Sequence, residues 1–240
     1  MDQERPCILV ADDEAELVAL MRRALSSEGY SVLAAFDGAE ALALVHKYRP
    51  DLIVLDIVMP HLDGLEVCRR LRQDPDLAAL PVLFLSVRSA IENRLNGWET
   101  GCDEYLTKPF DIRELKAHIR ALLRRASITA RASPASQDRV LQVGSLTLDL
   151  KLRRVTTKEK VAQLTPTEFS ILRYLAQHPS ELFSSQHLLK NACGYAPESA
   201  SSGLVRWHIK NLRGKIESDA AHPVYLRTVP RHGYMLVSDE

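Results

Sequence analysis

The sequence lacks the marks of a membrane, secreted or zinc-thiolate protein. Its longest apolar runs fall far short of the roughly 20 residues that a membrane span needs. It has only four cysteines, and no C-x-x-C spacing, which favours reduced thiols over disulfides or a zinc site. The polar residues 1–6 contain no signal-peptide core, so we expect a cytoplasmic protein.

Net charge is also absent, but the two halves of the chain differ. Residues 1–125 carry 16 Lys/Arg and 21 Asp/Glu, a net charge of −5. Residues 126–240 carry 15 and 10, a net charge of +5. We interpret this as an acidic half joined to a basic half, of which only the basic half meets a polyanion. Random variation of surface charge is the alternative.

Five short apolar segments alternate with amphipathic segments in the first half. The predicted strands are Cys7–Ala11, Ser31–Ala35, Leu52–Asp56, Pro81–Ser86 and Glu104–Thr107. The segments between them place apolar residues at helical spacing. Repeated strand–helix units with apolar strands predict an α/β fold, a five-stranded parallel, doubly wound, flavodoxin-like sheet covered on both faces.

Small and polar residues with one proline over residues 126–139 predict a flexible linker. It separates a domain over residues 1–125 from an α+β domain over residues 140–240. Alternating stretches at Gln142–Thr147 and Arg154–Thr156 suggest a small antiparallel sheet at the start of this second domain.

Three helices and a terminal hairpin are predicted after that sheet. The first helix begins at Thr165, with Pro166 at the first helical position and Glu168 completing a capping box. The second and third span about residues 185–192 and 201–217. A β-hairpin covers residues 225–237.

Carboxylates end two of the predicted strands. Asp12 and Asp13 follow the first strand, Asp56 ends the third, and Lys108 follows the fifth. Open α/β sheets place their ligands at this carboxyl edge. Three acids and a lysine predict a site for a hard divalent cation and a phosphoryl group. We expect repulsion to raise the pKa of at least one of these acids when no cation is bound.

These strand-end residues resemble those of a response-regulator receiver domain over about residues 5–125. The motif consists of Asp12, Asp13, Asp56, Met59-Pro60, Asp63-Gly64, Ser86 and Lys108-Pro109-Phe110. The resemblance implies that Asp56 accepts a phosphoryl group. It also implies a bound Mg²⁺, whose protein ligands are Asp12, Asp13, Asp56 and the backbone carbonyl of Val58.

The resemblance gives three further residues a role in phosphorylation. Lys108 pairs with Asp56 and then with the phosphoryl oxygens, while Ser86 turns toward the phosphoryl group and Tyr105 rotates inward. Val87 stands where the family usually has a smaller residue. We therefore expect an altered lifetime of the phosphorylated state.

Residues 89–100 and 111–125 resemble the two helices through which OmpR/PhoB-type regulators dimerise. The implied interface residues are Arg94 paired with Glu114, Glu99 paired with Arg120, and an apolar centre of Leu95, Trp98 and Ala117. A third pair joins Glu104 to His118, where the family has an arginine. Histidine titrates near neutrality, so we expect tighter dimerisation at about pH 6 than at about pH 8.

Residues 141–237 resemble the winged-helix effector domain of the same family. The motifs are Leu164–Phe169, His208–Arg213, Arg227-Thr228-Val229 and Gly233-Tyr234. In the third helix Val205, Ile209, Leu212 and Ile216 recur as an apolar seam, opposite a positive face suited to a major groove. The predicted DNA-contacting residues are Arg206, His208, Lys210, Asn211, Arg213 and, in a wing whose turn departs from the family pattern, Arg231.

The sequence is thus interpreted as a two-domain transcriptional regulator rather than an enzyme. The implied partners are double-stranded DNA, a sensor histidine kinase, a second copy of the chain on activation, and RNA polymerase. A DNA-binding regulator that works without phosphorylation is one alternative. An aspartate-nucleophile phosphatase of the haloacid-dehalogenase type is another, but it needs a second carboxylate where this chain has Val58.

Overall fold

The computed structural model describes residues 5–87, 101–127, 140–194 and 202–239. The chain divides into two compact units, Met1–Leu123 and Arg124–Glu240. Among the helices of the described ranges, none combines the length and the apolar character that a membrane crossing requires. Residues 128–139 of the predicted linker lie outside the described ranges.

Parallel strands alternate with helices in the first part of the chain. The strands are β1 (Cys7–Ala11), β2 (Ser31–Ala35), β3 (Leu52–Asp56), β4 (Val82–Val87) and β5 (Glu104–Lys108). The described helices are α1 (Ala15–Ser26), α2 (Gly38–Tyr48), α3 (Gly64–Gln73) and α4 (Ile112–Ser127). The strand order is β2-β1-β3-β4-β5, with every pairing parallel. This confirms the predicted doubly wound sheet.

The sheet is buried on both faces, as its continuous apolar strands predict. Ile8, Val10 and Val54 belong to a core completed by apolar side chains of α1 and α4. Because side chains alternate along a strand, Leu9 and Ile53 point to the opposite face, and both are fully buried. With both faces covered, the ends of the strands are where polar groups can meet solvent.

Helix α3 begins directly beside the end of β3. The Asp63 side chain caps the helix by accepting a hydrogen bond from the backbone N–H of Glu66 at 2.8 Å. At the next residue, Gly64, a Cβ atom would lie 2.0 Å from the carbonyl oxygen of Asp56. Glycine is therefore required for this close approach, and it fixes the loop that follows Asp56.

The second unit combines a small sheet, three helices and a hairpin. The strands are β6 (Val140–Val143), β7 (Leu146–Asp149), β8 (Arg154–Thr156), β9 (Val161–Gln163), β10 (Leu226–Val229) and β11 (Gly233–Leu236). The helices are α5 (Pro166–Gln177), α6 (Ser185–Asn191) and α7 (Ser202–Ile216). Strands β6 to β9 form one antiparallel sheet in sequential order, and β10 pairs with β11.

Local signals predicted the helices of this unit better than its first strands. Thr165 and Glu168 form the expected capping box at the start of α5, with Pro166 in the first turn. The stretch predicted as one strand, Gln142–Thr147, contains a turn in which Gly144 has φ 58° and which divides β6 from β7. The three-residue strand β9 was not predicted, because it is too short for alternation to mark it.

Candidate functional site

The strand ends bring two acids and a lysine to one edge of the parallel sheet. Asp56 is the last residue of β3, Asp12 directly follows β1, and Lys108 is the last residue of β5. Strands β1 and β3 are neighbours, and β4 lies between β3 and β5. Residues far apart in the sequence thus share one pocket, because parallel strands end at a common edge.

Lys108 bridges the two buried acids. Its Nζ donates to Asp12 Oδ2 at 2.6 Å and to Asp56 Oδ2 at 2.9 Å. Asp12 is 0% exposed and Asp56 is 5% exposed, so one ammonium group is shared by two carboxylates in a largely dry setting. The contact of Lys108 with Asp56 was expected. Its shorter contact with Asp12 was not.

Burial is the largest single influence on the pKa values of Asp56 and Lys108. Burial raises the pKa of the Asp56 carboxyl, and the hydrogen bond and charge of Lys108 oppose that rise without cancelling it. The charge of Asp12 adds to the rise, so the expected repulsion between acids is present as a smaller cause. For Lys108, burial lowers the pKa, but the hydrogen bonds to Asp12 and Asp56 leave it raised overall.

Asp13 completes an acidic triplet on the same edge. One carboxylate oxygen from each of Asp12, Asp13 and Asp56 lies within 4.8 Å of the others. Asp13 is exposed, whereas the other two acids are buried, so the triplet opens toward solvent on one side. Oxygen ligands of this kind are those that Mg²⁺ prefers, and the donor set therefore fits such an ion.

The predicted switch residues lie on β4 and β5, the two strands on one side of β3. Ser86, near the end of β4, is fully buried, and its hydroxyl donates to the carbonyl oxygen of Val87 at 3.0 Å. Tyr105, on β5, is partly buried. Val87 itself is half-exposed at the rim. The Ser86 hydroxyl must therefore exchange its acceptor before it can reach a group carried by Asp56.

The described part of the predicted dimer face belongs to β5 and α4. Glu114, Ala117 and Arg120 are exposed on α4. Arg120 Nη1 donates to a carboxylate oxygen of Glu28 at 3.3 Å within the same chain. Four predicted interface residues lie outside the described ranges, namely Arg94, Leu95, Trp98 and Glu99.

Glu104 and His118 lie close to each other within one chain. They are 2% and 5% exposed, and Glu104 Oε2 lies 3.7 Å from His118 Nδ1 of the same chain. Glu114 Oε1 lies 3.9 Å from His118 Nε2. Side chains buried inside one unit offer little surface to a second copy. This arrangement favours a contact within one chain, and the pH-dependent ion pair across the interface stays a prediction.

Helix α7 buries its predicted apolar seam and exposes part of its predicted positive face. The seam residues Val205, Ile209, Leu212 and Ile216 are buried, and Arg206 and Lys210 are exposed. His208 is 0% exposed and its ring centroid lies 4.4 Å from that of Trp207, so its side chain offers no surface to DNA in this structure. The reason is geometric, because residue 208 lies three residues after Val205 and four before Leu212, on the apolar face.

The remaining predicted DNA-contacting residues differ in their solvent exposure and in their hydrogen bonds within the chain. Arg231 is exposed at the turn of the β10–β11 hairpin, with φ 66°. Asn211 is half-buried, and its amide nitrogen is buried without a hydrogen-bond partner among the described residues. Arg213 is half-buried, and its guanidinium donates to Leu226 and Thr228 of strand β10.

One structurally prominent acid was missed. Glu217, directly after α7, is 1% exposed and accepts hydrogen bonds from the backbone N–H groups of Val224, Tyr225 and Leu226. A glutamate next to the seam residue Ile216 was the only sequence signal, and a solvated helix end fits that signal equally well.

A parallel sheet with this acidic edge, joined to an α+β unit with an exposed basic helix and a hairpin, is the architecture of a response regulator with a DNA-binding output. Comparison with known families agrees with both units. Residues 8–120 match the description "Response regulator receiver domain". Residues 158–236 match "Transcriptional regulatory protein, C terminal".

Relatives match nearly the whole chain. The alkaline phosphatase synthesis transcriptional regulatory protein PhoP of Bacillus subtilis is 38% identical over 232 residues, covering 95% of each chain. The DNA-binding dual master transcriptional regulator RpaA of Synechocystis is 38% identical over 231 residues, covering 96% of this chain and 95% of that protein. The response regulator DrrB of Thermotoga maritima, described as an OmpR/PhoB homologue, superposes with a TM-score of 0.50 at 27% identity, covering 98% of this chain and 100% of that one. The chain belongs to the OmpR/PhoB family of two-component response regulators.

Proposed function

We propose that Asp56 accepts a phosphoryl group from a sensor histidine kinase and that this modification increases the affinity of the protein for DNA. The observation that carries the proposal is the contact of Lys108 Nζ with Asp56 at 2.9 Å beside the three-carboxylate cluster. An Asp56 oxygen would attack phosphorus, forming the acyl phosphate O–P bond. The P–N bond to the donor histidine would break.

Asp12, Asp13 and Asp56 would hold Mg²⁺, with the backbone carbonyl of Val58 as a further ligand. When bound, the ion would offset negative charge on the transferring phosphoryl group. Lys108 would remain with the phosphoryl oxygens after transfer, because its ammonium already contacts the accepting carboxylate. No second carboxylate stands at position 58 to hydrolyse the product, which supports a regulator over a phosphatase.

Phosphorylation would be sensed on β4 and β5. The Ser86 hydroxyl would leave the Val87 carbonyl and donate to a phosphoryl oxygen, and Tyr105 would turn into the vacated space. Two copies would then pair through a face that includes Glu114, Ala117 and Arg120, together with the residues predicted at 94–99. Phosphorylation would add negative charge beside Lys108 and new acceptor oxygens for the Ser86 hydroxyl, and this change in charge and hydrogen bonding supports the coupling of chemistry to conformation.

The second unit would bind DNA with α7 in the major groove and the hairpin at the adjacent minor groove. Arg206 and Lys210 are exposed on α7, where they would contact phosphates, and Arg231 would extend from the wing. Dimerisation would place two such units on repeated half-sites and raise affinity through effective concentration. We further propose that the complex acts on RNA polymerase in the cytoplasm.

The test compares the wild type with Asp56→Asn and with Asp51→Asn, a matched control just before the opposite end of β3. Each is incubated with acetyl phosphate and Mg²⁺, analysed by mass spectrometry, and used for footprinting on genomic DNA. We expect phosphate on the wild type and on Asp51→Asn only, together with tighter DNA binding. Failure to form a phosphate at Asp56 would overturn the proposal. Equal DNA affinity with and without phosphate would instead favour a regulator that works without phosphorylation.

A further inference from the structure

Arg213 in helix α7 and Glu217 directly after that helix, four residues apart, bind opposite backbone groups of the same strand. Glu217 Oε1 accepts from the backbone N–H of Leu226 at 2.8 Å. Arg213 Nε and Nη2 donate to the carbonyl oxygen of Leu226 at 2.9 and 2.7 Å. Arg213 at position i and Glu217 at position i+4 therefore bind the backbone C=O and the backbone N–H of one residue of β10.

Glu217 and Arg213 each make further hydrogen bonds to residues next to Leu226. The Glu217 carboxylate also accepts from the N–H groups of Val224 at 2.8 Å and Tyr225 at 3.1 Å. Arg213 Nη2 also donates to the Thr228 hydroxyl at 2.7 Å. We call the contacts of Arg213 and Glu217 with residues 224–228 the wing clasp.

The hairpin depends on such anchors. Among the described residues, β10 and β11 form a sheet of only two strands, and an isolated two-stranded hairpin is marginal in water. Its β11 strand is held by the bridge between Tyr234 and Phe183. Its β10 strand is held by the clasp. The position of Arg231 at the turn is therefore set by how these two strands are fixed.

We propose that Arg213 and Glu217 are positioning residues that fix the wing relative to α7, and that Arg213 does not act as a phosphate contact. This rests on the proposed function, in which α7 and Arg231 enter adjacent grooves. Hydrogen bonds to the carbonyl and hydroxyl of β10 occupy Nε and Nη2 of Arg213. The clasp thus determines the distance between the major-groove and minor-groove contacts.

Arg213→Lys separates the two roles of this residue. Lysine keeps the charge, so a phosphate contact would survive, but it lacks the planar fork that binds Leu226 and Thr228 together. Thr228→Val removes one acceptor of the clasp while keeping the shape of the side chain. We expect each variant to bind DNA about tenfold more weakly, the scale of one lost charge-assisted hydrogen bond.

The experiment uses the full-length protein, treated with acetyl phosphate, and a duplex selected by the wild type from random sequence. Protection of guanine N7 from dimethyl sulfate reports the major groove, and hydroxyl-radical protection reports the minor-groove side. For both Arg213→Lys and Thr228→Val, we expect the protection of guanine N7 to persist. We expect the hydroxyl-radical protection to weaken beside the wing. Thermal unfolding of each variant establishes that it is folded. Glu217→Gln is a further variant of the same clasp.

A double-mutant cycle with Arg231→Ala distinguishes positioning from mere stability. If the clasp acts through the wing, Thr228→Val should lose its effect on DNA affinity once Arg231 is replaced. The proposed role of the wing clasp would be refuted if Arg213→Lys and Thr228→Val bound DNA with wild-type affinity. It would also be refuted if the losses of DNA affinity caused by Thr228→Val and Arg231→Ala were additive. Unchanged binding by Lys210→Ala and Arg231→Ala would instead show that the proposed DNA face is wrong, which separates that failure from the failure of the clasp.

Discussion

Replacement of Asp56 by asparagine should stabilise the unphosphorylated, metal-free protein even though it removes the proposed acceptor. Burial holds the pKa of Asp56 above its ordinary value, so the ionised carboxylate is less favourable in the folded state than in the unfolded chain. Asparagine retains an oxygen acceptor but carries no charge. Lys108 keeps its partner Asp12 at 2.6 Å. We therefore expect a gain of about 1 kcal/mol in the free energy of unfolding at pH 8.

The pH dependence of this gain follows from the direction of the pKa shift. Below the ordinary aspartate pKa of about 4, both states hold the proton and Asp56 imposes no penalty. As pH rises, the unfolded chain loses its proton first, and stability falls until the folded-state pKa is passed. The advantage of Asp56→Asn should therefore be small near pH 4 and complete near pH 8.

Urea unfolding followed by circular dichroism, in the presence of a chelator and across this pH range, measures the effect. Asp111→Asn is a control of opposite sign, because the hydrogen bond from Arg113 lowers the pKa of Asp111 to about 2. That variant should be less stable than the wild type at neutral pH. If Asp56→Asn proved less stable at pH 8, or its advantage did not shrink on acidification, the reasoning on burial would be refuted.

Three further substitutions test other parts of the structure. Val87→Ala should shorten the lifetime of the acyl phosphate, because a half-exposed side chain at the pocket rim is removed; equal decay rates would contradict this. Gly64→Ala should cost about 2 kcal/mol in unfolding free energy and lower the phosphate yield, since its Cβ would lie 2.0 Å from the Asp56 carbonyl oxygen; an unaltered urea midpoint would count against it. Lys215→Ala should cost roughly 2–3 kcal/mol, because it removes the ammonium 2.6 Å from the buried Glu168 carboxylate. Lys215→Arg is its control, and equal midpoints for both would reject the claim.

The acidic pocket was predictable because each of its residues is marked by a local signal. Asp12, Asp56 and Lys108 end apolar segments, and the rule that parallel strands share a carboxyl edge converts those three positions into one site. The capping box at Thr165 is similarly local. Where chemistry follows from the position of a residue along a single element, the sequence contains the necessary information.

The contacts that escaped prediction join elements through their side chains. Arg213 contacts Leu226, and Glu217 contacts Val224, across loops that have no periodic pattern. His208 was predicted to contact DNA because it opens the family motif His208–Arg213, whereas in the structure it lies on an apolar face that is wider than the four-residue seam and also includes Trp207. Histidine occurs both on buried and on exposed faces of helices, so the residue type alone could not show which face His208 occupies.

Lys108 comes 96 residues after Asp12 and 52 residues after Asp56. During synthesis from the amino terminus, both carboxylates therefore leave the ribosome well before the only ammonium that contacts both of them among the described residues. A nascent sheet that closed around β1 and β3 at that stage would enclose two negative charges without compensation. The edge strand β5 is thus the last strand of the sheet to be synthesised. Only when it is in place can Asp12 and Asp56 be buried with the compensating charge of Lys108.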